Sequence, residues 1–431
     1  MVNTLNNPDC SPPPRTHSSL EFDDVSCPLR RLLTAFLTII FVTTCVTGGP
    51  VDVELFRPRY EVEECLAEIR ECLTIGWTGS GFKTSQFEEA WKSYTQLPQA
   101  LFVNSATSGL HLAVKALKDR RGWREGDEVV STPLTFVSTN HVLLYEGLKV
   151  RFADVDETLC LDPESVASAI TPRTRAVMYV GMGGNSGHLD KIQSICNTNG
   201  LDLILDAAHL AGTRVNGEHV GAGASAVVFS FQAVKNLPTA DSGMVCFAEA
   251  IDDEYARKLS WLGINKDTYS RTHSKGSYKW MYEIESLGYK YHGNSIMAAI
   301  GLAQLRYLDR DNAYRRQLSC WYDEALGRSD YVARIPIVSG CESSRHLYPV
   351  LVENRDEVIL ALNSAGIAPG VHYRINTDYP MYSYGTGDCP VAEHMSRHLL
   401  SLPMHLGLGF EDVKYVSHTL GSIIEGQVVR A

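Results

Sequence analysis

Two residues whose side chains could act on one ligand lie at or shortly after the ends of apolar segments in this sequence. Asp206 ends the run Leu203–Asp206, and Lys235 lies 29 residues further on, after the run Ala226–Phe231. A carboxylate at the end of a buried strand can face a ligand, but it stays ionised only with a cationic or donating partner. A desolvated lysine at the same edge is neutral often enough to form a Schiff base with a carbonyl. Each residue has a plain alternative, a helix cap for the aspartate and a solvated surface position for the lysine.

A third segment, Leu101–Leu110, predicts a site for an anion. It has the pattern of a strand, a turn of small residues and a helix. Backbone N–H groups near Ala106 and Thr107 would then point outward at a helix N-terminus, where a phosphate fits. Simple capping of the helix by Ser105 or Thr107 explains the same pattern. Phe136 is a candidate to stack on an aromatic ligand, although a core position is equally common for such a residue.

Together these groups match what pyridoxal phosphate (PLP) requires of a protein. The phosphate needs hydrogen-bond donors, the pyridine nitrogen needs an acid that keeps it protonated, and the aldehyde needs a lysine. We therefore expect the turn at Ala106, the carboxylate of Asp206 and the amine of Lys235 to surround one PLP molecule.

These residues need a scaffold in which strand ends meet. From Val51 onward, short β-branched runs alternate with amphipathic ones, which predicts a mainly parallel sheet with helices on both faces. In such sheets ligands collect at the carboxyl ends of the strands. Seven strands are predicted, at Ala100–Val103, Glu128–Ser131, Val150–Val155, Ala176–Val180, Leu203–Asp206, Ala226–Phe231 and Met244–Phe247. Helices are predicted at Tyr60–Leu73, Ser108–Lys118, Asp190–Asn199 and Ser295–Leu318.

The alternation stops after Phe247, which predicts a second, smaller α+β domain. We expect a non-core extension over residues 1–50, a large domain over 51–290 and a small C-terminal domain over 291–431. The helix at Tyr60–Leu73 is expected to fold back onto the small domain.

Composition narrows the class of protein. The chain has 431 residues, 44% of them apolar and 21% charged, which is typical of a folded soluble protein. Lys and Arg number 39 against 50 Asp and Glu, giving a net charge of −11, so nucleic acid is a poor partner. The 11 cysteines are scattered and none has a Cys-x-x-Cys spacing, which indicates a reducing, cytoplasmic setting with no zinc site or other metal site. Cys65 and Cys72 are expected on the buried stripe of one helix.

The N-terminus departs from this picture. Two arginines precede the apolar segment Leu32–Val46, whose length of about 15 residues is short of the roughly 20 that a spanning helix needs. Three interpretations stay open: a weak membrane anchor, a targeting segment, or an extension upstream of the true start. Membrane contact is expected only if this segment belongs to the working protein.

From Arg57 to Val428 the sequence resembles the DegT/DnrJ/StrS family of sugar aminotransferases. The matching stretches include Gly76–Gly81, Ser105–Leu110, Gly126–Val130, Asp206–His209, Phe229–Phe231 with Lys235, Tyr289–Tyr291, Ala298–Leu305, His372-Tyr373 and Ser401–Pro403. The resemblance implies fold type I of PLP-dependent transferases, with a mainly parallel seven-stranded sheet between helices and a smaller α+β C-terminal domain.

The resemblance also implies roles for single residues. Lys235 would bind the cofactor and then carry a proton between cofactor and substrate, and Asp206 would pair with the ring nitrogen. His209 would lie near the phenolic oxygen, and Phe136 would stack on the ring. Ser230 and the backbone of residues 106–108, which include Ala106 and Thr107, would hold the phosphate. Lys290 would reach the phosphate from the second subunit of a homodimer, and His372 and Tyr373 would contact the substrate.

Four positions depart from the family's usual pattern, and His292 is one of them, since relatives often carry Arg or Asn there. Ala106 and Val234 replace a glycine and a hydroxyl residue, and Ser242-Gly243 stands where Gly-Gly is common. Ala106 would matter only if the turn required a positive φ, which is costly for a residue with a Cβ.

The resemblance implies transfer of an amino group, with glutamate as expected donor and a keto group of a nucleotide-linked deoxysugar as acceptor. Lys235 is the residue that favours amine transfer, because some relatives that have histidine at this position catalyse dehydration. Three alternatives stay open: a cyclitol ketone or another cyclic ketone as acceptor, a PLP-dependent sugar dehydratase or lyase, and a non-catalytic regulator that retains the fold.

Overall fold

The computed structural model describes residues 53–265, 282–327 and 331–428. Its α-helices are α1 (Val62–Ile75), α2 (Phe82–Thr95), α3 (Ala106–Arg121), α4 (Ser138–Tyr145), α5 (Pro163–Ala169), α6 (Leu189–Asn199), α7 (Ala250–Ser260), α8 (Ser295–Leu305), α9 (Leu308–Leu326), α10 (Arg355–Ser364), α11 (Pro390–His398) and α12 (Phe410–Val428). Its strands are β1 (Leu101–Val103), β2 (Glu128–Ser131), β3 (Lys149–Phe152), β4 (Thr174–Val180), β5 (Asp202–Asp206), β6 (Arg214–Val215), β7 (Glu218–His219), β8 (Ala226–Ser230), β9 (Gly243–Phe247), β10 (Val332–Arg334), β11 (Cys341–Glu342), β12 (Tyr348–Val352) and β13 (Leu399–Leu402).

A seven-stranded sheet in the order β1-β9-β8-β5-β4-β2-β3 forms the centre of the fold. Neighbouring strands from β8 to β3 are parallel, while β9 runs antiparallel to both β8 and β1. The expected fold class is therefore confirmed, and all seven predicted strands are present with ends that differ by up to three residues. The strands read as continuous apolar runs because residues on both faces are buried.

Helix α3 packs unusually close to this sheet. A Cβ built on Gly109 would lie 2.9 Å from Val228 Cγ1 and 2.9 Å from Val245 Cγ2. The glycine, a mild defect in a helix by propensity alone, thus lets the helix axis approach β8 and β9.

The C-terminal part contributes a second sheet, β10-β12-β13. Beside the main hydrophobic core, a second buried cluster gathers residues of this sheet and of α9, α10 and α12, among them Leu318, Tyr322, Val350, Leu362 and Leu420. Ala298 and Leu308 belong instead to the main core. The boundary at residue 290 stays a prediction.

The prediction of one helix over Ser295–Leu318 is wrong, because the chain turns at Arg306 and Tyr307 between α8 and α9. Helix α8 packs against α1 and α2, and Gln304 near its end bonds the backbone on either side of Tyr60, at Arg59 O (3.0 Å) and Glu61 N (2.9 Å). Helix α9 buries Leu318 in the second cluster. The two halves pack on different partners, and neither a proline nor a glycine marks the break in the sequence.

Cys65 and Cys72 are both buried on α1, as predicted. The eight cysteines in the described part of the chain are free. No helix within residues 53–265, 282–327 and 331–428 has the length and apolar character needed to cross a membrane. The segment Leu32–Val46 and the expected extension over residues 1–50 lie outside the described residues.

Candidate active site

A cavity of about 410 Å³ opens at the carboxyl ends of β5 and β8. It is lined by nine of the ten residues that the sequence singled out: Ala106, Thr107, Phe136, Asp206, His209, Ser230, Lys235, His372 and Tyr373. Residues from distant parts of the chain meet there because parallel strands present their carboxyl ends at one edge of the sheet.

The N-terminus of α3 forms one end of the cavity. Ser105 caps this helix by accepting a hydrogen bond from Ser108 N at 3.1 Å, and the first-turn residues Ala106 and Thr107 line the cavity. The N–H groups of a first turn have no partner within the helix, so they are available to an anion. Ala106 is absent from the described residues with positive φ, so the alanine carries no backbone strain there.

Strand β9 starts beside this helix end. A Cβ built on Gly243 would lie 2.9 Å from Ala106 N and 2.7 Å from Phe229 O. The missing side chain at Gly243 therefore lets α3 sit close to β8 and bring its first turn to Ser230, which also lines the cavity.

Asp206 is the buried acid of the cavity, with 4% of its surface exposed. Thr139 Oγ1 donates to Asp206 Oδ2 at 2.7 Å, and Ala208 N donates to Oδ1 at 3.1 Å. Burial nevertheless raises the pKa of Asp206, because two hydrogen bonds only partly replace the water that the carboxylate loses. A cationic N–H in the cavity would supply the partner that the ionised form needs.

Lys235 is the cation of the cavity. Burial lowers the pKa of its amine to about 8, although the charge of Asp206 opposes this shift. At pH 7 roughly one amine in ten is then neutral, against fewer than about one in a thousand for an exposed lysine. The Nζ atom lies 3.5 Å from His346 Nε2.

Two histidines and a tyrosine complete the wall. His209 Nδ1 accepts from Gly183 N at 3.2 Å, which places the His209 proton on Nε2, 3.0 Å from the Tyr373 hydroxyl. Burial holds the pKa of His209 well below its usual range. His372 Nδ1 lies 2.9 Å from Ser401 Oγ, and burial together with the charge of Lys235 lowers the pKa of His372 to about 4. These imidazoles are neutral at physiological pH.

Phe136 is half exposed at the cavity mouth, and its ring centroid lies 5.7 Å from that of Tyr373. An aromatic ligand entering the cavity can therefore contact this ring without displacing core residues.

Lys290 is the one predicted residue that a single chain does not bring to this cavity. Its Nζ lies 3.3 Å from the centre of the Trp261 ring and lines a separate cavity with Arg257 and His292. Partial desolvation lowers the pKa of the Lys290 amine, although the residue as a whole is exposed. In one copy of the chain, therefore, the Lys290 side chain does not line the cavity that contains the anion site at α3.

Three residues of the site were missed by the sequence reasoning. Thr139 lies three residues after Phe136, but no helix was predicted there that would have indicated a shared face, and Phe136 lies before the start of α4. Phe56 and His346 give no such signal, since neither follows a recognisable strand, and His346 is 111 residues away from Lys235. Only the folded chain brings them to the cavity, where Phe56 stacks on His346 with ring centroids 5.7 Å apart.

The residues present fit PLP. The buried carboxylate of Asp206 suits a protonated ring nitrogen, the α3 N-terminus suits a phosphate, and the desolvated amine of Lys235 suits an aldehyde. The cavity thus holds the three kinds of group that the cofactor requires, and together with the sheet it defines an enzyme of the fold type I class of PLP-dependent transferases.

Comparison with known proteins gives the family within this class. Residues 59–421 match the model of the DegT/DnrJ/EryC1/StrS aminotransferase family. The chain belongs to this family and is an aminotransferase with pyridoxal phosphate as its cofactor.

Individual relatives agree with this assignment. The chain is 34% identical over 376 residues to the spore coat polysaccharide biosynthesis protein SpsC of Bacillus subtilis (strain 168), covering 84% of this chain and 95% of SpsC. Among solved structures, the putative sugar aminotransferase Spr1654 of Streptococcus pneumoniae in its PMP form matches with a TM-score of 0.79 and 28% identity, over 86% of this chain and 99% of that one. PseC of Helicobacter pylori, an aminotransferase involved in the biosynthesis of pseudoaminic acid, matches with a TM-score of 0.80 and 27% identity, over 87% and 99%.

Proposed function

We propose that the chain transfers an amino group from glutamate to the keto group of a nucleotide-linked deoxysugar. The observation that carries the proposal is the meeting of Lys235, Asp206 and the α3 N-terminus around one cavity. The choice of a sugar acceptor is supported by the matched proteins, whose names refer to polysaccharide biosynthesis and to sugar amination.

In this proposal each group of the cavity has one task toward the cofactor. When bound, PLP supplies a conjugated ring that takes up the electrons of a bond broken next to the transferred nitrogen. Asp206 would hold a proton on the ring nitrogen, and the first turn of α3 with Ser230 would bind the phosphate. His209 would lie toward the phenolic oxygen, and Phe136 would cover a face of the ring.

Lys235 has two tasks in the proposal. Its amine would hold the cofactor at the aldehyde, and the free amine would move a proton between a carbon of the cofactor and a carbon of the substrate. An amine with a pKa of about 8 suits this work, because it gains and loses a proton near neutral pH without a large cost in either direction. The substrate would lie toward His372 and Tyr373, which line the same cavity.

Borohydride trapping tests the role of Lys235. Protein loaded with PLP and reduced with borohydride should carry the cofactor on the peptide that contains Lys235, as read by peptide mass spectrometry. Lys235→Ala is the matched control and should remain unlabelled. Labelling of a different lysine, or none in the unaltered protein, would contradict the assignment.

A substrate screen with ¹⁵N-glutamate tests the reaction. A panel of nucleotide-linked ketosugars should include one whose product gains the ¹⁵N atom, with the ring position given by NMR. Release of water or ammonia without incorporation of nitrogen would show a dehydratase or lyase instead. Cofactor binding without turnover of any ketosugar or cyclitol ketone would favour a regulator.

A further inference from the structure

A chain of buried amides leads through His346, which also lines the cavity, to the amine of Lys235. Asn312, on α9, donates from Nδ2 to Ala211 O at 2.9 Å. Its Oδ1 accepts from Asn236 Nδ2 at 2.7 Å, and the same Nδ2 donates to Ser344 O, also at 2.7 Å. Both asparagines are buried, Asn312 completely.

These contacts fix which way each amide faces. Turning the amide of Asn236 over would set its oxygen against the carbonyl oxygen of Ser344, and turning Asn312 would set its oxygen against Ala211 O. Buried acceptors placed against each other would leave every one of them unsatisfied. The oxygen of Asn236 therefore faces His346, whose Nδ1 lies 3.0 Å away.

An amide oxygen can only accept, so His346 carries its proton on Nδ1. Its other nitrogen, Nε2, then presents a lone pair to Lys235 Nζ at 3.5 Å. The ring is held in place by Phe56, which stacks on it almost parallel, and by His209, whose ring centroid is 4.5 Å away. Burial and the charge of Lys235 keep the pKa of His346 well below its usual range, so the imidazole is neutral.

We propose that His346 is a positioning residue for Lys235: held as its Nδ1–H tautomer by Asn236, it accepts a hydrogen bond from the Lys235 ammonium whenever that amine is not joined to the cofactor. The proposal rests on the proposed role of Lys235. It adds a residue, His346, that holds the protonated amine of Lys235 in the cavity when the amine is not joined to the cofactor. Nε2 has no proton to give, so it favours the charged amine over the neutral one and opposes the effect of burial.

Other charged or titratable groups also face this amine. Those lining the cavity are Asp206, His209, Asp241, His346, His372 and Tyr373, and the charge of Arg315 reaches His346 from α9. Of these, Asp206 stabilises the ammonium by its charge, whereas His346 is the group within hydrogen-bond distance of Nζ among the described contacts.

The pKa of Lys235 in the cofactor-free, full-length protein tests the proposal. The pH dependence of labelling by acetic anhydride, read on the Lys235 peptide by mass spectrometry, gives this value without any turnover. His346→Phe keeps the ring next to Phe56 but removes the acceptor, so we expect the pKa of Lys235 to fall by about one unit. His346→Gln, which offers an acceptor oxygen, should recover part of the shift.

His219→Phe is the matched control, because His219 is also buried and also makes two hydrogen bonds but does not line this cavity. It should leave the pKa of Lys235 unchanged. An unchanged Lys235 pKa in His346→Phe, or an equal fall in both variants, would overturn the proposal.

A second measurement needs no variant to fold. In ¹⁵N-histidine-labelled unaltered protein, NMR should show Nε2 of His346 as the unprotonated nitrogen at neutral pH, with the proton on Nδ1. A proton on Nε2, or a charged ring, would refute the proposal. If borohydride trapping and amine transfer succeed while this tautomer is wrong, the positioning role fails and the proposed function stands.

Discussion

Burial acts on the two ionisable centres of the cavity in opposite directions. It raises the pKa of Asp206 and lowers the pKa of Lys235, so in both residues burial favours the neutral form over the charged form. A ligand that brings a cationic N–H to the acid and removes the charge from the amine would relieve both costs at once. A protonated pyridine that carries an aldehyde is such a ligand.

Replacing Asp206 should show how much its ion pair with the cofactor's ring nitrogen contributes to the rate of amine transfer. In Asp206→Asn the side chain keeps its shape but loses its charge, and we expect amine transfer to fall by about 10- to 1000-fold, because an ion pair of this kind shifts the pKa of the ring nitrogen by about 1–3 units. Initial rates at saturating cofactor measure the loss.

Thr139→Val gives the comparison for this prediction. It removes the 2.7 Å hydrogen bond to Asp206 but leaves the carboxylate in place, so its effect should be about tenfold or less. A fully active Asp206→Asn protein would contradict the assigned pairing.

Lys235 should make the cofactor-free protein less stable at neutral pH than at high pH. Its pKa is about 8 in the folded chain, against an ordinary value of 10.5, so between these values the unfolded chain binds more protons and stability rises with pH. Below pH 8 the cost of the buried charge is fully present. Lys235→Met should therefore stabilise the protein at pH 7 by on the order of 2 kcal/mol, and this gain should vanish toward pH 10.5.

Urea unfolding at a series of pH values checks this prediction. Lys191→Met, at an exposed position on α6, is the control and should show no such trend. A gain that stays constant from pH 7 to 10.5 would mean that the lysine charge is not the cause.

Residue types at strand ends allowed much of the site to be predicted from the sequence. Asp206 and Ser230 end the parallel strands β5 and β8. Ala106 starts the helix after β1, which runs in the same direction as β8 because both are antiparallel to β9, so the topology alone brings the three residues together. His346 could not be found in this way, since it enters the site from the segment before β12 by long-range packing. Its role depends on the orientation of Asn236, which no local pattern encodes.

At the level of elements, the packing of α3 against the sheet determines where its N-terminus, the anion site, lies. Gly109→Ala should destabilise the protein by about 1–3 kcal/mol, because a Cβ there meets Val228 and Val245 at 2.9 Å. The displaced helix should also bind PLP more weakly, which a fluorescence titration would show.

Gly421→Ala is the control for this change in a helix. A Cβ at Gly421 on α12 has no neighbour within 4 Å, so alanine should stabilise the protein by about 0.5–1 kcal/mol through helix propensity. If Gly109→Ala proved equally stabilising, the close approach of α3 to the sheet would be wrong.

The same elements show how far the sequence predicts the fold. Buried strands such as β2 and β8 are found almost to the residue, because β-branched runs between turns have few other structures to adopt. The break between α8 and α9 was missed, because both halves continue the apolar pattern and the turn arises from packing on different partners. The local periodicity of apolar residues indicates that one face of a helix is buried, but it does not indicate which element of the fold buries that face.

At the scale of the whole molecule, the position of Lys290 leads us to propose a homodimer. Its amine lies over Trp261 in a cavity separate from that of Lys235. A second copy would have to bring Lys290 to the anion site at α3, as the resemblance to the family implies. Each active site would then contain residues of both subunits.

Mixing two inactive variants tests this arrangement. Lys235→Ala and Lys290→Ala proteins, unfolded together and refolded in equal amounts, should regain about a quarter of the normal activity, because half of the dimers would be mixed and each would hold one intact site. Light scattering should give twice the mass of one chain. A monomer, or a mixture no more active than its components, would contradict the proposal.

The steric limits beside Ala106 bear on how this turn can be redesigned. At position 243 any side chain meets three main-chain atoms, none of which can rotate away. Ser242 next to it is tolerated because its hydroxyl lies 2.7 Å from that of Thr239. A library that randomises both codons and is screened for amine transfer should therefore return several small amino acids at the first position and glycine alone at the second.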